Sequence, residues 1–162
     1  MVKVVRLAVL LTIMVSCVGC DQVTKSAARS QLVSGATISL FHDTVRLQHV
    51  ENPGAFLGMG DSLPIGIRNI LFTFGGVVLV GAAIVWTLRQ RYMSTVRTTG
   101  AALVCSGGLG NLIDRLHQNG YVTDFLNVGI GPVRTGIFNI ADLVLLVGLV
   151  LIGKTGLRHR LR

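Results

Sequence analysis

The stretch NILFTFGGVVLVGAAIVWTL, Asn69 to Leu88, is twenty residues long and holds no charge. A helix rises about 1.5 Å per residue, so this run spans the roughly 30 Å hydrocarbon core of a bilayer. Three further apolar runs flank it. Leu7 to Gly19 is extended outward by Val4 and Val5 around Arg6, Thr98 to Ile113 has sixteen residues, and Ile137 to Gly153 has seventeen with a single charge, Asp142. Tilt, local thinning and snorkelling of Arg6 accommodate the shorter ones. The reading is an all-α membrane protein with four transmembrane helices at about 4–20, 69–88, 98–113 and 137–153, forming a single domain over 1–162.

Composition agrees. Of 162 residues, 51% are hydrophobic and 14% charged, and the mean hydropathy is +0.66. A soluble domain of this length is more polar. The net charge of +8 raises the question of nucleic acid. Its basic residues sit in short segments between apolar runs, with no basic face interleaved with aromatics, so no nucleic-acid partner is expected.

Charge placement orients the spans. Lys3, Arg6, Arg89, Arg91, Arg97, Lys154, Arg158, Arg160 and Arg162 share one side with both termini: nine of the fifteen basic residues and none of the seven acids. By the positive-inside rule that side is cytoplasmic. Asp21, Asp43, Glu51, Asp61, Asp114, Asp124 and Asp142 then lie at or near the outer face, where acid-based chemistry must take place.

The first run also has the layout of a secretory signal and ends in Val18-Gly19-Cys20, close to a lipobox. Cys17 stands where leucine is preferred and three more spans follow, so the reading is a retained helix. The cysteines fall inside helices; Cys17-x-x-Cys20 fits a redox pair less well than small residues at helix contacts. The external segments are 21–68 and 114–136. In the first, Asp21 to Leu32 continues helix 1 or forms a short surface helix. Thr37 to Phe41 and Thr44 to Val50 then alternate around a His42-Asp43 turn as a β-hairpin. The expectation is a small β-sheet lying on the membrane or covering the bundle. The second segment, with Gly120, Gly129, Gly131 and Gly136, reads as loops with at most a short strand.

Asp142 lies in the fourth run, about one and a half turns or roughly 7 Å inside a helix starting near Ile137. An acid there faces a cavity or a partner; a buried ion pair is the plainer reading, and the helix N-terminus favours it. A second acid, Asp124, shifts the balance toward function. Two carboxyls sharing a desolvated site do not both ionise, so one serves as base and the other as hydrogen-bond donor. Asn139 and Asp142 share a face of helix 4; Asn111, Asp114 and Arg115 cluster at the outer end of helix 3. Taken alone, Asp21–Lys25 and Asp114–Arg115 read as solvated or structural pairs, whereas the amides of Asn111 and Asn139 need partners in a membrane helix. No HExxH-type zinc motif occurs, so no metal or cofactor is expected. A Ser–Lys hydrolase built on Lys25 lacks a placed serine. A small channel or proton-coupled transporter using Asp142 is the alternative from another class.

Asp21-Gln-Val-Thr-Lys25, Glu51-Asn-Pro-Gly-Ala-Phe56, Gly110-Asn-Leu-Ile-Asp-Arg115, Val122-Thr-Asp-Phe125 and Phe138-Asn-Ile-Ala-Asp142 occur in this order. In these motifs the chain resembles the lipoprotein signal peptidase (signal peptidase II) family. The resemblance implies an aspartic endopeptidase of the bacterial inner membrane with its active site at the periplasmic face. It implies Asp124 and Asp142 as catalytic pair, and Asn52, Gly54, Asn111, Arg115 and Asn139 as substrate-binding residues. Asp21, Lys25, Asp114 and Ala141 are implied in support. The implied substrates are diacylglyceryl-modified prolipoproteins, cut before the lipidated cysteine by a monomer among membrane lipids, with cyclic peptides of the globomycin type as inhibitors. One motif departs from the family: Ala55-Phe56-Leu57 stands where Ala-Ala-Phe is usual, which alters one wall of the site.

The charge asymmetry generates a topology test. Reporter fusions at His42 and Gly120 should report the outside, and fusions in the Arg89–Arg97 loop the cytoplasm; a periplasmic Arg89–Arg97 loop overturns the orientation.

Overall fold

The computed structural model describes residues 2–33, 35–55, 59–90 and 92–160, without the side chains of 2, 3 and 156–160. Phe56, Leu57, Arg91 and Arg162, and the side chains of Lys3, Arg158 and Arg160, lie outside the described residues. Four long helices and one small sheet make up the described chain: α1 (Val2–Gln31), β1 (Thr37–Leu40), β2 (Val45–Asn52), α2 (Ile65–Arg89), α3 (Thr95–His117), β3 (Val122–Ile130), β4 (Val133–Arg134) and α4 (Ile140–Arg160). Helix α1 runs unbroken past Asp21, so the segment after Cys20 continues the first helix. By length and composition, Val4–Gln31 and Ile65–Arg89 are long and apolar enough to cross a bilayer. Within α2, Asn69–Phe74 winds as a π-helix, a local widening that often accompanies a functional site.

The distribution of burial is inverted relative to a water-soluble protein. Its largest fully buried side chains are Lys25, Asn139, Thr123, Asp21, Asp114, Asp124 and Ser106. Outside, α2 exposes Ile70, Leu71, Phe74, Val78 and Leu79, while α4 exposes Leu143, Leu146, Leu149 and Val150. A helix apolar on its outer surface around a polar interior is suited to lipid.

Lipid tails are as apolar as leucine, so helix association in a bilayer rests on close packing. Helix α3 supplies it with Gly100, Ala101, Cys105, Gly107 and Gly110, all buried. A Cβ on Gly100 would lie 3.0 Å from the Gly148 carbonyl, and one on Gly107 would strike the Ala141 carbonyl and sit 2.7 Å from Leu145 Cβ. Cys105 is buried on this helix, as expected of a cysteine at a helix contact, whereas Cys20 is exposed on α1.

The sheet is antiparallel in the order β1-β2-β3-β4. The hairpin of β1 and β2 forms as read from the sequence, with a turn at Phe41, His42 and Asp43 whose φ angles are all positive. The second external segment differs from its reading as loops. Strand β3 has nine residues and pairs with both β2 and β4. Of the segment's glycines only Gly129 falls in the strand, where it pairs with Arg134 and its amide donates to the Thr44 carbonyl at 2.9 Å, so the pairing partners carry the strand through it.

A second difference concerns α4, which starts at Ile140 rather than near Ile137. Phe138 is drawn into a bridge with Leu126, and its carbonyl accepts from the Phe125 and Leu126 amides. The chain is therefore extended up to Asn139, and Asp142 falls in the first turn of the helix.

The α3–α4 contact should tolerate no side chain at Gly107. Gly107→Val is expected to lower thermal stability in detergent by at least the 1–3 kcal/mol, roughly, of overpacking. Gly19→Ala, with nothing within 4 Å of the added methyl, should be neutral or slightly stabilising. Equal stability of both variants would mean that the helices do not meet there.

Candidate active site

The β2–β3 register sets Asp124 opposite Val50 and carries Asn52 to the start of β3. Asn52 Nδ2 donates to Asp124 Oδ2 at 2.8 Å, and Asn52 Oδ1 accepts from the Gly54 amide at 2.8 Å. The latter is an Asx turn, a side chain standing in for backbone. Arg115 Nη2 donates to the Gly54 carbonyl at 2.8 Å, and the guanidinium lies 6.0 Å from the centre of the Phe72 ring. The turn after β2 is thus pinned against α3.

Asp142 is held by its own helix end. Asn139 Oδ1 accepts from the Asp142 amide at 2.9 Å, and Asp142 Oδ2 accepts from the Asn139 amide at 3.3 Å. This is a reciprocal capping box, with Asn139 as N-cap and Asp142 three residues on. Asn139 also joins the two acids, since its Nδ2 donates to Asp124 Oδ1 at 2.6 Å. Asn111 adds a donor from α3, Nδ2 to Asp142 Oδ1 at 2.8 Å.

Behind the acids lies a buried charge cluster. Lys25 is 0% exposed and bonds Asp21 Oδ2 at 2.9 Å and Asp114 Oδ2 at 3.1 Å, and Asn111 Oδ1 at 2.9 Å. Asp21 Oδ1 accepts from the Ala141 amide at 2.9 Å; Asp114 Oδ2 accepts from the Thr123 amide at 3.1 Å. Gly110 leaves room for this, because a Cβ there would lie 2.7 Å from Asp21 Oδ2.

The hydrogen bonds connect Asp124, Asp142, Asn52, Gly54, Asn111, Arg115, Asn139, Asp21, Lys25, Asp114 and Ala141 into one network. Of the two pairs read as solvated or structural, Asp21–Lys25 is a fully buried structural pair, whereas the other is split. Arg115 turns to Gly54 while its neighbour Asp114 turns to Lys25, because adjacent residues point about 100° apart around a helix. Three contributors were missed. Thr123 is 0% exposed and accepts from Arg29 Nη1 at 2.9 Å; Gln22 Nε2 reaches both Asp21 and Asp114. The Asn-x-x-Asp pattern at 139–142, ahead of an apolar run, is a capping signal the sequence did carry. Asp43 stands apart, since hydrogen bonds from Arg46 and Ser39 hold its carboxyl well below the usual range at the hairpin tip.

In front of Asp142 a cavity of about 400 Å³ opens between α2, α3 and α4, lined by Ala55, Phe72, Leu79, Asn111, Arg115 and Leu145 among others. Apolar walls with a few converging polar groups are the usual form of a ligand site.

Two solved structures share this architecture, both of them bacterial membrane enzymes determined by the in meso method. One aligns with a TM-score of 0.81 at 27% identity over 93% of this chain and 88% of that one; the other gives 0.78 at 26% identity over 91% and 92%. The fold is that of these bacterial membrane enzymes. The model of the family described as Signal peptidase (SPase) II matches residues 13–157. The lipoprotein signal peptidase of Desulforapulum autotrophicum is 35% identical over 148 residues, 90% of this chain and 88% of that protein. That of Syntrophus aciditrophicus is 30% identical over 130 residues, 80% of each. The chain belongs to the signal peptidase II family, peptidases that remove signal peptides from lipoprotein precursors.

Burial pushes the Asp124 carboxyl up to about 7, with neighbouring Asp142 adding to the rise and the Asn52 hydrogen bond opposing it. A carboxyl whose pKa rises on folding holds its proton more tightly in the native state, so stability falls as pH climbs between the two pKa values. Thermal stability of the wild type relative to Asp124→Asn should therefore decline from about pH 4 to about 7 and level off above it. Unfolding curves in detergent across this range check the sign; a flat difference would mean that folding leaves the Asp124 pKa unchanged.

Proposed function

We propose that Asp124 and Asp142 activate a water molecule to cut diacylglyceryl-modified prolipoproteins before the lipidated cysteine. The supporting observation is the arrangement of Asn139, which donates through its side chain to Asp124 and through its backbone to Asp142. Two acids bridged by one residue in a water-poor pocket share a single negative charge most easily. The ionised one takes a proton from water as the oxygen attacks the scissile carbonyl carbon; the neutral one donates a hydrogen bond to the carbonyl oxygen. Collapse of the tetrahedral adduct breaks the C–N bond as the proton passes to the leaving amine. Asn52 and Asn111 hold the carboxylates, and Arg115 with Gly54 shapes the wall that meets the substrate backbone. Asp21, Lys25, Asp114 and Ala141 support from behind. The apolar cavity accepts the end of the signal helix.

In this reading the domain is 1–162, spans the inner membrane four times with both termini cytoplasmic, and holds segments 21–68 and 114–136 in the periplasm. The inverted burial and the nine-to-none charge asymmetry support it. Ile38, Leu40, Val50, Val128 and Ile130, all exposed, share the face of Asp124 through the strand register. An apolar sheet face of this kind suits the outer leaflet, where the substrate's lipid resides. The monomer would act among membrane lipids and be blocked by globomycin-type cyclic peptides. A proton or ion pathway through Asp142 is disfavoured, since family membership implies a hydrolase.

Gel-shift cleavage of a diacylglyceryl-modified precursor by the purified protein in detergent tests this. Asp124→Asn and Asp142→Asn should each abolish turnover while the protein still folds and binds precursor, with no additivity in the double variant. If either retains more than about a tenth of the wild-type rate at equal folding, a barrier change below about 1.4 kcal/mol, that Asp is not catalytic.

A further inference from the structure

Lysine is almost never fully buried without partners, and Lys25 is 0% exposed. An ammonium has three N–H donors and no acceptor. Its three acceptors here are Asp21 Oδ2 at 2.9 Å, Asp114 Oδ2 at 3.1 Å and Asn111 Oδ1 at 2.9 Å. Each of these residues has a second bond, and each second bond ends at or beside one of the two acids. Asp21 takes the amide of Ala141, the residue before Asp142. Asp114 takes the amide of Thr123, the residue before Asp124. Asn111 donates its Nδ2 to Asp142 itself.

Resting on the dyad reading above, we infer that Lys25 is a positioning residue, whose three hydrogen bonds set the separation of Asp124 and Asp142 and the orientation of the Asn111 amide. The backbone at 123 comes from a strand and that at 141 from a helix end; the Leu126–Phe138 bridge joins the two segments on one side of the acids, and the Lys25 cluster faces them on the other. Lys25 ties them through the two carboxylates. Together with Asn139, whose Nδ2 donates to the same Asn111 Oδ1 at 3.1 Å, it also fixes which way Asn111 points. A donor-only ammonium requires the amide oxygen on its side, which leaves the NH₂ for Asp142. With the amide turned over, oxygen would face carboxylate. Gly110 keeps the site open, since a methyl there would lie 2.7 Å from Asp21 Oδ2.

The decisive variant is Asp21→Asn/Lys25→Met/Asp114→Asn, which leaves no fully buried charge unpaired, since Arg29, at 3.8 Å from Asp114, is one-third exposed, and keeps two side-chain oxygens for the amides of Ala141 and Thr123. Its kcat on the lipidated precursor should fall between about tenfold and a hundredfold, the scale of a misplaced catalytic group, with KM within about twofold of wild type. Where the triple variant yields no folded protein, Asp21→Asn and Asp114→Asn, each leaving a balanced pair with Lys25, are read in the same way. A kcat of the folded fraction within about twofold of wild type, or a change confined to KM, overturns the inference and leaves Lys25 as a helix tie only. Asp124→Asn and Asp142→Asn run in the same assay separate the two levels. If they stay active, the dyad reading falls whatever Lys25 does; if they are dead while the Lys25 variants turn over at wild-type kcat, only the positioning role is lost.

Discussion

Charge without water is the constraint on which the rest of this structure depends. Asp21, Lys25, Asp114, Asp124 and Asp142 are each exposed by 7% or less and belong to one network. An unpaired ion in such a place would cost several kcal/mol, so each group must meet donors or a counter-ion. The surrounding elements are arranged around that demand. The N-terminus of α4 offers the Ala141 amide to Asp21 and the Asn139 amide to Asp142, the start of β3 offers one to Asp114, and the side-chain amides of Asn52, Asn111 and Asn139 bond the Asp124 and Asp142 carboxylates. Breaking α4 off at Ile140 leaves those amides free to be used.

The polar interior in turn needs helices that approach closely, because lipid supplies no hydrophobic drive between them. Glycine and alanine on α3 bring α4 within backbone contact at Gly100–Gly148 and Gly107–Ala141. Gly110 carries this close approach to Asp21. Packing and electrostatics are therefore one design: the small residues that let the helices touch also let a carboxylate from α1 reach the backbone of α4.

Under the proposed function, placement of the acids also suits a substrate that stays in the membrane. The cavity before Asp142 is walled by Leu79, Val80, Leu145 and Phe72, with Arg115 and Asn111 at the acid end. An apolar helix entering sideways would bury its own surface there and present its end to the polar groups. The π-helical turn at Asn69–Phe74 lies on this wall and carries Phe72 against Arg115.

What the sequence determined by itself was whatever can be read in one dimension. The apolar runs are properties of consecutive residues, as is the segregation of Arg and Lys from Asp and Glu, and five ordered motifs carry the family. The β1–β2 hairpin was legible because its alternation and turn are local. Only the tertiary structure decided that β3 is a nine-residue central strand, since its pairing edge, β2, lies far along the chain. It likewise decided that Asp114 answers to Lys25 and not to adjacent Arg115, and that Phe138 leaves the helix for the sheet. The reason is the same each time: which groups share a space without water depends on how distant segments pack, and desolvation makes that shared space the strongest term in where each charge must point.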